Sequence, residues 1–316
     1  MTEPGADDCS IQSCYWLEAP LGQLTSLAQS QSLAHAILLS GPAGVGKARL
    51  AMALAQFLLC KTPHGNKACG QCKSCLLRLA GNHPDLRQLR ATNGTSIGVD
   101  DIRALTEFTQ GTAQQAGARV ILLADCEKMT EAAANALLKT LEEPPAGCYL
   151  LLLSAAPTQL KPTILSRCQQ WRIAPLTEPA LQAWLQQTTD KTLPDWLGAY
   201  SGGAPLRALQ LVQSGQLETI IQQFSQLQAY INGELSLPEL LKTLEKAENL
   251  TSIFGLLVQQ QLNNGRVAGQ FERQQALIQR YQQWCRDEKQ ILGQNKALML
   301  SAWLVKLRQL LATAGG

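Results

Sequence analysis

A parallel α/β sheet followed by a wholly helical region is the fold class this sequence predicts. Three observations carry it. Between about Tyr15 and Ile173, short apolar runs alternate with helical patterns, as strand–helix–strand units require. The two strongest runs, ARVILLAD (118–125) and CYLLLLSA (148–155), are near-continuous in Val, Ile and Leu, which suits strands covered on both faces. Beyond Gln213 nothing strand-like occurs, and the chain reads as amphipathic helix to Gly316.

Three further strands are expected at HAILLS (35–40), DLRQLR (85–90) and QQWRI (169–173). Helices are expected between them, at KARLAMALAQFLLC (47–60) and at EAAANALLKTLEE (131–143), the second stopped by Pro144-Pro145. From Ala174 to about Val212 the pattern turns helical, with Gly202-Gly203-Ala204-Pro205 as a break. The expected domains are therefore 1–173, 174–212 and 213–316. The Gln-rich helices of the last region carry apolar residues at helical spacing, which marks helix surface rather than low complexity.

With 46% hydrophobic and 16% charged residues over 316 positions, the chain has a globular profile and an ample core. Its net charge of +3 is too small to imply nucleic acid by itself. No run approaches the ~20 apolar residues of a membrane span. The start, MTEPGADDCS, carries acids where a signal peptide needs a basic region and an apolar core, so a cytoplasmic location is expected. The 10 cysteines are then candidates for metal or core positions rather than disulfides.

GPAGVGKARL (41–50), directly after the first strand, has the G-x-x-x-x-G-K spacing of a phosphate-binding loop. Gly41, Gly44 and Gly46 let backbone N–H groups turn toward an anion, the following helix adds its dipole, and Lys47 would reach the terminal phosphates. The next position should be a Ser or Thr that holds Mg²⁺, and it is Ala48. At the end of VILLADCEKM, Asp125 is placed for Mg²⁺. Its neighbour is Cys126, with Glu127 one position late for activating water. Along a strand that shift would aim the carboxylate to the wrong face. Losing one preorganised group typically costs ~10²–10³ in rate, so two losses argue against turnover.

Cys60, Cys69, Cys72 and Cys75 read C-x₈-C-x₂-C-x₂-C, which suits a closed tetrahedral, structural Zn²⁺ site. No acid lies from Lys61 to Pro84, and Lys61, Lys67, Lys73 and Arg78 would offset the negative charge of a zinc tetrathiolate. Disulfides or unpaired thiols are the alternatives. Cys9, Cys14, Cys126, Cys148, Cys168 and Cys285 show no ligand spacing, and Cys126 and Cys148 are expected on core strands. His35, His64 and His83 are expected to be structural.

AAANALLKTLEEPP (132–145) and TILSRC (163–168), with the loop and the four-cysteine insertion, resemble the bacterial clamp-loader AAA+ family. The resemblance implies an AAA+ module with a zinc insertion at 60–75, a small helical lid and an all-α collar that mediates oligomerisation. It also implies a DNA-replication role: a hetero-oligomer with gamma/tau and delta subunits that places a sliding clamp on primed DNA. Arg167 of SRC is then an arginine finger acting in trans on a neighbour's ATP, a chemistry that suits a planar, permanently charged guanidinium. Arg207, in LRAL, falls at the lid's sensor-2 position, with a plain helix-surface arginine as the equal alternative. The sensor-1 position falls in Ser154-Ala155-Ala156, where only Ser154 keeps a hydroxyl. ATP or ADP binding at Gly41, Gly44, Gly46, Lys47, Asp125 and Arg207 stays open, while hydrolysis is not expected. No paired-carboxylate two-metal site is visible, so DNA-directed polymerase activity would belong to the holoenzyme. A hydrolysing gamma/tau-type subunit and a zinc-bearing DNA adaptor are the competing expectations, and the adaptor lacks an aromatic single-strand platform.

Overall fold

The computed structural model describes residues 13–91, 96–115, 117–247, 249–263, 271–290 and 296–312; Cys9 lies outside them. The chain divides into two compact units, Met1–Leu185 with Gly203–Arg207, and Gln186–Gly202 with Ala208–Gly316.

The first unit is built on β1 (Ala36–Ser40), β2 (Leu86–Leu89), β3 (Arg119–Leu123), β4 (Cys148–Ser154) and β5 (Gln169–Arg172). They form one all-parallel sheet in the order β2-β3-β4-β1-β5, at the five places the apolar runs predict. Its helices are α1 (Glu18–Gln29), α2 (Lys47–Leu59), α3 (Lys73–Leu79), α4 (Val99–Gln110), α5 (Glu131–Glu142) and α6 (Pro162–Leu165). Alternation along the strands sorts the core into two layers. Ala36, Leu38, Ile121, Leu123, Leu150 and Leu152 form one cluster with Ile102 and Leu105 of α4 and Ala133, Leu137 and Leu141 of α5. The intervening Ile37, Leu39, Val120, Leu122, Leu151 and Leu153 are also buried, and α2 packs against β1, β3 and β4. Helices on both faces thus explain why the strands read as unbroken apolar runs.

Local chemistry sets the helix ends. The Thr130 side-chain oxygen accepts from the Ala133 amide at 3.2 Å and starts α5, which stops two residues before Pro144. The Asp101 carboxylate accepts from the Gly98 amide at 2.8 Å and caps α4.

The chain continues through α7 (Glu178–Thr188), α8 (Leu197–Ser201), α9 (Pro205–Gln213), α10 (Gln216–Asn232), α11 (Leu237–Leu244), α12 (Leu250–Asn263), α13 (Phe271–Gln290) and α14 (Lys296–Ala312). The division between units falls within α7 and α9. The second unit is helical throughout its described residues. Phe254 of α12 stacks on Trp303 of α14 at 3.8 Å, and Trp284 of α13 meets both rings edge-on. The Trp284 indole N–H donates to Thr251 Oγ1 at 3.0 Å, so its one polar atom is satisfied within the core. Gly233, at φ 86°, ends α10 in the left-handed region, and Ser236 with Glu239 starts α11 with a reciprocal cap.

Candidate functional site

The loop from Gly41 to Lys47 opens at the carboxyl edge of the sheet, where open α/β sheets bind ligands. Gly41, Gly44 and Gly46 all have positive φ (152°, 81° and 99°), so the sequence places glycine where the backbone needs it. The Lys47 ammonium is buried and donates back to the loop carbonyls of Gly41 (2.9 Å) and Pro42 (2.8 Å). Protein surrounds the loop on two further sides. The Trp16 indole N–H donates to the Val45 carbonyl at 2.9 Å, and the Leu206 amide donates to the Gly44 carbonyl at 2.9 Å. Arg207 therefore sits at the loop, its backbone against Gly44.

The carboxylates of the neighbouring strand end are arranged differently. Asp125 follows β3 in the left-handed region, φ 55°, and its Oδ2 lies 3.4 Å from Lys128 Nζ. That turn ends the strand, so Cys126 lies in a 3₁₀ turn rather than on a core strand as expected; it is buried all the same. The Cys126 thiol donates to the Leu123 carbonyl at 3.0 Å, and burial pushes its pKa well up. Glu127 Oε1 accepts from the Ala155 amide at 3.1 Å, and Ser154 Oγ accepts from the Ala156 amide at 3.1 Å. The glutamate that could have activated water instead braces the turn after β4.

Arg167 lies after α6, away from the loop in sequence. Its guanidinium pairs with Glu142 Oε1 at 2.6 Å and donates to the Thr163 carbonyl at 2.9 Å. About a third of its side chain stays exposed, so the group is oriented but accessible.

Cys60, Cys69, Cys72 and Cys75 come together, with all four sulfurs within 4.8 Å of one another. The Cys69 and Cys75 sulfurs are 3.9 Å apart. Tetrahedral Zn–S bonds of ~2.3 Å require about 3.8 Å, so the residues fit a four-thiolate metal centre. Cys60 ends α2, Cys72 caps α3 and Cys75 lies in its first turn, with a short hairpin at His64 and Lys67 between. The Cys69 thiol is pulled down to about 5 by the Thr62 side chain and by the amides of Gln71 and Cys72, while burial pushes Cys75 up to about 12. Next to the cluster, Ser74, His83 and Asp85 are buried. His83 Nδ1 accepts from the Asp85 amide (3.1 Å), so Nε2 carries the proton and donates to Ser74 Oγ (2.6 Å). Burial holds the His83 pKa below its usual value. His35 bonds the Leu141 carbonyl at 3.0 Å.

The structure therefore gathers Gly41, Gly44, Gly46, Lys47 and Arg207 at one loop and the four cysteines at another site; Arg167 belongs to neither. Sequence reading missed Trp16, Glu142 and the Glu127–Ala155 contact, because each joins segments far apart in the chain. The Ser74–His83 link had a faint signal, a histidine just beyond the cysteine segment.

Residues 17–177 match the family described as DNA polymerase III, delta subunit. The DNA polymerase III subunit delta' of Pseudomonas aeruginosa is 45% identical over 212 residues, 64% of this chain and 62% of that one. The subunit of the same name from Yersinia pestis is 44% identical over 207 residues, 63% and 61% of the two chains. The chain thus spans about three fifths of the length of these relatives. A DNA polymerase III gamma subunit-related protein from Thermotoga maritima shares the fold, with TM-score 0.55 at 19% identity over 91% of this chain and 99% of that one. The family match covers just over half of the sequence, and the chain belongs to the DNA polymerase III delta subunit family.

Proposed function

We propose that this chain is the delta-prime subunit of a bacterial clamp loader: an AAA+ subunit that does not hydrolyse ATP and completes the ATP site of an adjacent gamma/tau subunit. The observation that carries the reading is the pairing of a well-formed loop with a retasked water-activating position. Glu127 is bonded to the Ala155 amide, and Ala48 replaces the magnesium-binding hydroxyl. The loop fits a phosphate, having three left-handed or extended glycines at a helix start, but its surroundings do not fit a hydrolytic magnesium centre. Arg167, braced by Glu142 and the Thr163 carbonyl, is the finger offered to the neighbour; fingers supplied in trans are worth ~10³–10⁵ in rate.

On this reading residues 1–173 form the AAA+ module, 174–212 the lid, and 213–316 the collar that joins gamma/tau and delta subunits. Phe271, Ile278, Leu298 and Val305 are exposed on α13 and α14, a surface that suits such a contact. The cysteine cluster holds structural zinc, which ties the end of α2 to the start of α3 and leaves no open coordination position. The complex acts on the sliding clamp and primed DNA in the cytoplasm. Consistent with that, no helix among the described residues is long and apolar enough to cross a membrane.

ATP turnover tests the proposal. The chain alone should be inert, and Arg167→Ala should depress turnover by the complex with gamma/tau, delta, clamp and primed DNA at least 100-fold per affected site, within the range of trans-acting arginines. Turnover by the chain alone that Lys47→Ala abolishes would make it a gamma/tau-type ATPase instead.

A further inference from the structure

The zinc-module helix presents a face the fold does not use. On α3, Ser74 and Cys75 point inward and are buried, while Leu76 and Leu79 are 56% and 62% exposed. They lie three positions apart on one side of the helix, with the exposed Lys73 three positions before Leu76. Lys61 and Lys67, also exposed, come from the segment that precedes the helix and is tied to it by the cysteine cluster. Lys61, Lys67 and Lys73 make no ion pair among the described residues. Between Glu18 and Asp85 the chain carries no Asp or Glu, so neither α2 nor α3 supplies a carboxylate, and α1 supplies only Glu18 at its start. Asp85 itself is buried, its oxygens accepting the amides of Gln114 and Gln115.

We infer that this face docks an acidic segment of another polypeptide carrying apolar side chains. Its carboxylates meet Lys61, Lys67 and Lys73, and its apolar groups cover Leu76 and Leu79. Charge complementarity selects the occupant. Lys61, Lys67, Lys73 and Arg78 outnumber the net negative charge of a zinc tetrathiolate and no carboxylate lies among them, so the surface stays cationic and attracts anions, and the two leucines give that attraction a dry centre to bury. A nucleic acid is anionic too, but it has no group to cover paired leucines. No Phe, Tyr or Trp lies between Phe57 and Phe108 to stack on its bases. The cysteine cluster fixes the geometry, holding the lysine-bearing segment beside the helix. The inference does not depend on the replication role.

The test is selection of a phage-displayed random peptide library on the intact, zinc-loaded chain, with counter-selection on Leu76→Ser/Leu79→Ser. Enriched peptides should combine acids with paired apolar residues. A synthetic peptide from that pool should lose at least tenfold in affinity to the double serine variant and to Lys61→Gln/Lys67→Gln/Lys73→Gln. Binding should weaken as salt rises. All the substituted positions are exposed, so both variants should melt at the wild-type temperature and retain metal, which separates lost docking from lost folding. The inference is overturned if nothing is enriched over the serine variant, or if the enriched peptides lack acids. It also fails if a single-stranded or duplex oligonucleotide binds in a manner that needs the lysines and ignores the leucines.

Discussion

Gly44→Ala should destabilise the first unit far more than Gly81→Ala, although both glycines have left-handed φ (81° and 72°). Alanine in that region costs about 1–2 kcal/mol at either position. At Gly81 that is the whole effect, because an added Cβ would meet nothing within 4 Å. At Gly44 the same atom would lie 2.6 Å from Arg207 Cβ, 2.7 Å from its amide nitrogen and 3.0 Å from its Cα. Backbone cannot rotate away as a side-chain tip can, so the start of α9 must move off the loop. Displacing it sacrifices the 2.9 Å bond from the Leu206 amide to the Gly44 carbonyl, worth about 1 kcal/mol. Overpacking adds at least ~1 kcal/mol. The two variants should thus differ by about 2 kcal/mol in urea unfolding followed by tryptophan fluorescence, to which Trp16, bonded to the same loop, contributes. Equal destabilisation would mean that α9 is not seated on Gly44, and the placing of Arg207 at the loop would fall with it.

Acid should weaken the core beside the cysteine cluster through His83. Its folded pKa is depressed by burial, so the stability it confers is complete above the ordinary value of ~6.5 and is lost as pH falls through the folded one. A His83→Gln variant should show a flatter profile between pH 7.5 and 5, and a profile as steep as wild type would refute the assignment. Metal analysis of the purified chain should find zinc that Cys72→Ala abolishes, and chelation should open the segment from Cys60 to Cys75 to protease while leaving the second unit intact; full protection after chelation would count against a metal centre. Trp303→Ala should cost about 3–5 kcal/mol in the second unit, since the ring is 4% exposed and stacked on Phe254. A loss below ~1 kcal/mol would mean that the stack is not what holds α12 and α14 together.

The strands were legible in sequence because burial on both faces leaves a signature that few other environments share: β1, β3 and β4 are unbroken apolar runs. The cysteine cluster was legible for a similar reason, since metal geometry constrains spacing tightly and C-x₂-C-x₂-C leaves few other readings. What could not be read were contacts that depend on backbone direction. Asp125 in the left-handed region turns the chain one step earlier than a continuing strand would, so Cys126 leaves the sheet and Glu127 comes to the Ala155 amide. Strand alternation was the wrong frame for Glu127, because β3 ends at Leu123 and the glutamate lies in the 3₁₀ turn that follows. Short helices were equally hidden. The seven-residue α3 carries two exposed leucines and a buried serine, an inversion of the amphipathic pattern that metal ligation permits.

The loop's glycines and its lysine each have a physical reason in their protein neighbours. A Cβ at Gly41 would lie 2.5 Å from the Ile173 carbonyl oxygen, at Gly44 against the backbone of Arg207, and at Gly46 2.8 Å from Leu17 Cδ1. Gly41 and Gly44 are therefore required by neighbouring backbone, and Gly46 by its φ of 99°, before any phosphate is considered. The Lys47 ammonium likewise has two carbonyl partners inside the loop, so its removal would take a donor from the half-buried Gly41 carbonyl and from that of Pro42, which also accepts from the Val45 amide. Ala48 is half-buried in the first turn of α2, and Cys126 is buried with its thiol bonded to the Leu123 carbonyl. Loop retention is then weak evidence for nucleotide binding, and the proposal that the chain does not hydrolyse ATP rests on Ala48 and Glu127 instead. Lys47→Ala separates the two: destabilisation of the chain with no change in turnover by the complex is the outcome this packing requires.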